Sequence, residues 1–199
     1  MKKILFSAAV IFSILNAGGN VELAPVEPVT PVQQPVAASG FYAGAAVSLV
    51  SAREAVTDLN FFDNEDGQDL VGNVTLLAGY NFNDYFAVEG RATTSVSQKD
   101  ITKLTAFSLF LKPQYPVTSE INIYALLGYG HIKLDNYNGS NVDVSDSDFQ
   151  WGLGASYDVT NNITVFVDYT SLGRDLSGTF LSSEEADVDS INVGVIYKF

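Results

Sequence analysis

Residues 149–157 read Phe149-Gln150-Trp151-Gly152-Leu153-Gly154-Ala155-Ser156-Tyr157. Apolar side chains take every second place, and glutamine, glycine and serine fill the places between. Successive side chains of an extended strand point to opposite faces, so this alternation describes a strand with one greasy and one polar face. The period recurs on both sides of the stretch. It runs through the odd positions of Phe41–Leu49, the even positions of Leu70–Tyr80, then Phe86, Val88 and Ala92, then Thr105, Phe107, Leu109 and Leu111. Tyr124, Leu126, Ile132 and Leu134 are read as the apolar face of a fifth segment, and Ile163, Val165, Val167 and Tyr169 as that of a seventh. Ile191, Val193, Val195, Tyr197 and Phe199 close the chain. The result is eight strands of about ten residues, the length of a tilted bilayer crossing.

The opposite faces decide which solvent each side meets. They carry Asn73 and Thr75, Glu89 and Arg91, Ser108 and Lys112, Gln150 and Gly152, Asp168 and Thr170, and Ser190 and Asn192. An arginine facing lipid at mid-bilayer costs about 2–4 kcal/mol, so the charges belong inside and the apolar face outside. The expected fold is all-β: an eight-stranded antiparallel up-and-down transmembrane β-barrel over residues 40–199. Connections inferred from these strands are long after the first, fifth and seventh and short after the second and sixth, as when long loops lie outside the cell and short turns inside. Aromatic residues gather at strand ends, with Phe41, Tyr80, Phe82, Tyr85, Phe86, Tyr115, Tyr124, Tyr157, Tyr197 and Phe199 at one rim. Phe149, Trp151 and Tyr169 lie toward the other. Two such belts suit the two headgroup layers of a membrane.

Composition narrows the functions. In 199 residues the formal charge is −13, which opposes nucleic-acid binding. The absence of cysteine excludes disulfides and thiolate metal sites, and the single histidine, His131, offers little for metal or acid–base chemistry. No cofactor or metal is expected. At the start of the chain, Lys2 and Lys3 precede an apolar stretch, Ile4 to Leu15, and the small residues Ala17, Gly18 and Gly19. That order reads as a secretory signal peptide over 1–19, too short to span a bilayer, which needs about 20 apolar residues. Residues 20–39 contain Pro25, Pro28, Pro31 and Pro35 and read as a semi-rigid periplasmic linker.

Three stretches resemble a known group. Gly79-Tyr80-Asn81-Phe82 leading into Tyr85-Phe86-Ala87-Val88-Glu89-Gly90-Arg91 is similar to the second hairpin of small outer-membrane barrels of the opacity and OmpA-like type. Tyr124–Gly130 resembles their Gly-rich fifth strand, and Ile191–Phe199, ending in Tyr197 and Phe199, their C-terminal insertion signal. The resemblance implies a monomer in a Gram-negative outer membrane, in contact with lipid and lipopolysaccharide and with the insertion machinery during biogenesis. It also implies a charged network in the barrel interior, an acid on the third strand, a lysine on the fourth and an acid on the seventh, which Glu89, Lys112 and Asp168 match. Arg91 is added to it here. These four charges are expected to pair and, with Tyr129, to plug a lumen just wide enough for side chains, so that Lys112→Ala would open it.

Most of the 23 acids fall in the segments 51–69, 135–148 and 173–189. Asp63, Glu65, Asp66, Asp69, Asp143, Asp146, Asp148, Glu184 and Glu185 are therefore candidate acidic loop residues, expected to hydrate the surface or to meet divalent cations or a basic extracellular partner. The run Asp63–Asp69 fails as an EF-hand loop, because its glycine is fifth rather than sixth and no glutamate stands at the twelfth place. Catalysis is not expected: position 133, where lipid A-deacylating barrels have a serine two residues after their histidine, is Lys133. The reading is a non-enzymatic structural and surface-interaction protein, the competing one a narrow low-conductance pore gated by lumenal charges.

Overall fold

Each alternating segment forms a strand: β1 Gly40–Glu54, β2 Gln68–Asn83, β3 Phe86–Ser95, β4 Thr102–Pro116, β5 Ile121–Asn136, β6 Val142–Asp158, β7 Ile163–Phe180 and β8 Ser183–Lys198. The structure is a computed structural model that describes residues 39–55, 57–62, 68–96, 102–136, 141–181 and 183–199. The proposed signal peptide and all of the linker but Ser39 lie outside the described residues. Every strand pairs antiparallel with its sequence neighbours, and β1 pairs with β8 from Tyr42↔Lys198 to Glu54↔Ala186, closing an eight-stranded barrel.

Small polar side chains tie the turns at the end that holds both Gly40 and Phe199. Asn83 Oδ1 accepts the Tyr85 amide at 2.8 Å between β2 and β3. Thr118 Oγ1 accepts the Glu120 and Ile121 amides between β4 and β5, and Thr160 Oγ1 accepts those of Asn162 and Ile163 between β6 and β7. Such residues satisfy turn amides that a tight connection leaves unpaired. Beside these turns the rings of Phe41, Tyr80 and Phe82 form an outward-facing chain with centroid spacings of 4.8 and 5.1 Å. At the far end Trp151 meets Tyr169 at 5.6 Å.

The outward and inward faces follow the sequence reading on seven strands, and β5 is the exception. Tyr124, Leu126, Ile132 and Leu134 point into the barrel and are buried, while Ile123, Leu127 and Tyr129 point out. Tyr124 thus leaves the belt for the interior. Tyr129 is 60 % exposed on the outer wall and is no part of a plug. Both faces of β5 carry large apolar residues, so alternation alone does not set its phase.

The strands also run past the places where the sequence suggested loops. β7 continues to Phe180 and β8 starts at Ser183, so the expected long seventh loop is a tight hairpin, and β6 begins at Val142. In these extensions polarity inverts. Val50, Ala52, Leu104, Ala106, Ile132, Leu134, Val142, Val144, Leu172, Leu176, Phe180, Ala186 and Val188 form one buried apolar core inside the barrel. Outside, Lys133, Asp143, Ser145 and Ser147 are exposed. Below the Trp151–Tyr169 contact the outer face is apolar and the interior holds the charges and hydroxyls beside two small clusters of inward rings and aliphatics; above it the arrangement is that of a water-soluble barrel. The switch marks where the wall leaves hydrocarbon for water.

Phe180→Ala should therefore cost about 3–5 kcal/mol in the outer stub. Hydrogen exchange of the protein in a bilayer is expected to quicken at the outer ends of β6–β8 while the amides of β2–β4 around Glu89 keep their protection.

Candidate functional site

Four lumenal charges come together halfway down the barrel. Arg91 lies between two acids, donating from Nε to Glu89 Oε1 at 2.8 Å and through both terminal nitrogens to Asp168 at 3.0 and 2.7 Å. Lys112 donates to Glu89 Oε2 at 2.9 Å. Both carboxylates are fully buried. Two tyrosines complete the cluster: Tyr42 donates to Glu89 at 2.7 Å and Tyr124 to Asp168 at 2.9 Å, while Asn192 gives Asp168 a further bond at 2.7 Å. The Lys112 ammonium also sits 4.2 Å from the Tyr124 ring centre. A charge taken out of water is tolerated when its lone pairs and protons are matched in this way.

The tyrosines had a signal in the sequence, though not one of periodicity. Each pairs across the sheet with a glycine, Tyr42 with Gly79 and Tyr124 with Gly154. A Cβ on Gly79 would collide with the Tyr42 ring, and one on Gly154 would fall 2.5 Å from the Tyr124 ring and 2.6 Å from Asp168 Cβ. The missing side chains are the space in which the rings lie flat across the lumen. Phe110 and Gly128 repeat the device one level higher.

On one side of the cluster the lumen opens as a polar cup of about 630 Å³ at the turn end, lined by Asn81, Gln114, Asn122, Asp158 and Lys198. It narrows to about 50 Å³ beneath Tyr42 and Lys112. On the other side a hydroxyl ladder crosses from Ser48 to Thr75 to Thr93, each step 2.7 Å. The buried amide of Gln150 lies flat over Gly130 with no partner among the described residues. Above these sits the apolar core of the stub.

At the outer rim the acids divide into structural and exposed ones. Between Val144↔Gly178 and Trp151↔Ser171 the β6–β7 ladder is interrupted without a change of register, and over the same stretch β7 bulges against β8, with Asp175 at φ 48°. The carboxylates of β6 bond the amides this exposes: Asp146 accepts from Ser177 at 3.0 Å and Asp148 from Arg174 at 2.9 Å. These two are stitches rather than loop charges. Asp69 is buried in β2, which corrects its placing in an exposed loop. Asp143, Glu184 and Glu185 are exposed on the stub; Asp63, Glu65 and Asp66 lie outside the described residues. Beside them Asp187 and Asp189 form a closed ring with Arg53 and Arg174, a cluster that counting charges along the sequence did not reveal.

His131 contacts Ser147 Oγ at 2.9 Å on the outer wall. Among the described residues no carboxylate bonds the ring, and nearby Asp146 is committed to the amides of Ser177 and Ser147. No group of potential metal ligands occurs among the described residues.

Residues 28–199 match the family model described as the outer membrane protein beta-barrel domain. The chain belongs to that family. Its place is accordingly the outer membrane of a Gram-negative cell, with the apolar band in lipid. It is 25 % identical over 170 residues to the virulence membrane protein PagC of Salmonella typhimurium, covering 81 % of this chain and 86 % of that protein. Among solved structures it is similar to Neisserial surface protein A, with a TM-score of 0.55 and 22 % identity over 81 % of this chain and 98 % of that one. The attachment invasion locus protein Ail of Yersinia pestis gives 0.52 and 21 % over 81 % and 97 %. These structures share the barrel.

Two outcomes follow for this family member. Glu89→Ala strands Lys112 and one side of Arg91 and should cost about 3–5 kcal/mol, read as an earlier urea midpoint in the gel-mobility shift between folded and unfolded barrel. The Ser177 and then the Ser147 amide hold the Asp146 carboxyl below its ordinary pKa. Its contribution to the bulge is thus full above the usual aspartate pKa and is lost as pH falls through the lowered folded value. Amide exchange at Ser177, corrected for its intrinsic pH dependence, should lose protection over that acid range in the wild type and be pH-independent in Asp146→Asn.

Proposed function

We propose that this barrel is a non-enzymatic surface-interaction protein whose lumen stays closed and whose outer stub meets the cell's surroundings through acidic side chains. One observation carries the reading: strands continue beyond the lipid band as a water-facing extension with its own apolar core, to which six of them, β1 and β4–β8, contribute as a rigid platform in water. Exposed Asp143, Glu184 and Glu185 give that platform a negative surface, suited to a cationic partner or to divalent cations shared with lipopolysaccharide. The likeness to PagC, whose name places it in virulence, supports a role at the host-facing surface. Tyr197 and Phe199, both exposed on the outer wall at the turn end, are read as the insertion signal, and residues 1–19 and 20–39 as export signal and periplasmic linker.

A narrow pore is the second reading, favoured by the polar cup that reaches Lys112 from the periplasm. The apolar core above the charges opposes it. That core also changes the expectation for Lys112→Ala, which removes one layer of two and should leave the barrel closed.

Protein in lipid nanodiscs should bind a poly-lysine surface in a salt-sensitive way. Replacing Asp143→Asn, Glu184→Gln and Glu185→Gln together should weaken binding about tenfold, the sum of three exposed interactions near 0.5 kcal/mol each. Unchanged affinity removes the acidic-platform reading. Steady single-channel openings of the wild type in a planar bilayer replace the closed-lumen reading with the pore.

A further inference from the structure

Arg53, Gln68, Asp187 and Asp189 present a contradiction. Their register places them on the outer wall, opposite Arg53↔Gln68 and Arg53↔Asp187 neighbours and in phase with outward Leu49 and Ile191. Yet all four are buried. Part of what covers them is the stretch 57–62 of the β1–β2 connection, which is fastened to this patch of wall. Arg53 Nε donates to the Thr57 carbonyl at 3.0 Å. Gln68 clamps Asn60 at both ends, its amide nitrogen donating to the Asn60 carbonyl and its oxygen accepting the Asn60 amide at 3.2 Å. Phe61 packs edge-on against Tyr169 with centroids 6.5 Å apart, and Tyr169 in turn meets Trp151. The stretch is therefore not a loop above the barrel but a strap laid along its side, reaching the outer aromatic belt.

The strap then spends its apolar residues in the wrong direction for water. Phe62 is 92 % exposed and Leu59 38 %. Phe62 is held in place by an Asx turn, its amide donating to Asn60 Oδ1 at 2.9 Å. A phenylalanine presented from a strap beside the belt is continuous with a surface that already faces lipid, and an aromatic ring is favoured at that depth. The charges beneath do not prevent this: the two arginines and two aspartates close into a neutral ring, with Arg53–Asp187 at 3.1 Å, Arg174–Asp187 at 2.7 Å and Arg174–Asp189 at 3.0 Å.

We infer that residues 57–62 form an interfacial foot that rests on the outer leaflet and sinks Phe62 into it. The foot fixes the height of the barrel in the membrane on the β1–β8–β7 side, where the hairpin of the stub is longest. It goes beyond the surface role proposed above and depends only on the outer belt lying at the lipid interface.

The test uses tryptophan as a depth gauge. The chain has one tryptophan, Trp151, which itself reports on the belt. In full-length Trp151→Phe protein carrying Phe62→Trp, reconstituted in phosphatidylethanolamine/phosphatidylglycerol vesicles, bromine-labelled acyl chains should quench the new tryptophan about as strongly as they quench Trp151 in the wild type. Iodide in the water should quench it several-fold less than free tryptophan. Adding Gln68→Ala, which releases Asn60, should lower the lipid quenching and raise that by iodide. A Leu59→Trp reporter in the same background gives an independent reading should Phe62→Trp fail to assemble. If wild-type Trp151 is quenched by bromolipid while both reporters respond only to iodide, the foot is wrong and the exposed ring faces water or a protein. If Trp151 itself escapes bromolipid, the belt assignment fails and the foot with it.

Discussion

Hydrocarbon offers no partner to a peptide group, so a sheet that crosses a membrane must leave no edge. The pairing of β1 with β8 meets that demand, and most of the structure follows from it. Closure at eight strands leaves a lumen one or two side chains wide. Whatever points inward must then satisfy its neighbours, because little water reaches it. Tyr42 and Tyr124 span this space only because Gly79 and Gly154 give up theirs.

The two clusters of charge answer the same demand in different places. Inside, Glu89, Arg91, Lys112 and Asp168 join strands β3, β4 and β7 across the lumen. On the wall, Arg53, Arg174, Asp187 and Asp189 join β1, β7 and β8. Each holds two acids and two bases, so neither leaves net charge in a poorly solvated place. A pair out of water repays its desolvation only when its hydrogen bonds are made, and in both clusters the carboxylates have theirs.

The barrel and its lumenal charges were legible because lipid and lumen make opposite demands on alternating positions. Arg91 and Lys112 have only one side of the wall on which they can lie. Legibility failed where both faces were apolar: Leu126 and Leu127 are interchangeable to a pattern, and only the fold shows that the first is inside. It failed again above the lipid, where acidic residues in a strand look like acidic residues in a loop. Asp146 and Asp148 became intelligible only with the β7 bulge, whose amides they occupy. The Arg53 ring was hidden for another reason, its members lying 134 and 136 residues apart in the chain.

The apolar core of the stub gives one set of strands two thermodynamic characters. Melting that core exposes hydrocarbon side chains to water, with the large heat-capacity increase and the curved temperature dependence of a soluble domain. The lipid-embedded stretch keeps its apolar side chains in an oily medium whether or not its partners are in place. Cooling and denaturant should therefore loosen the outer end first, so that the presented surface softens while the wall stays intact.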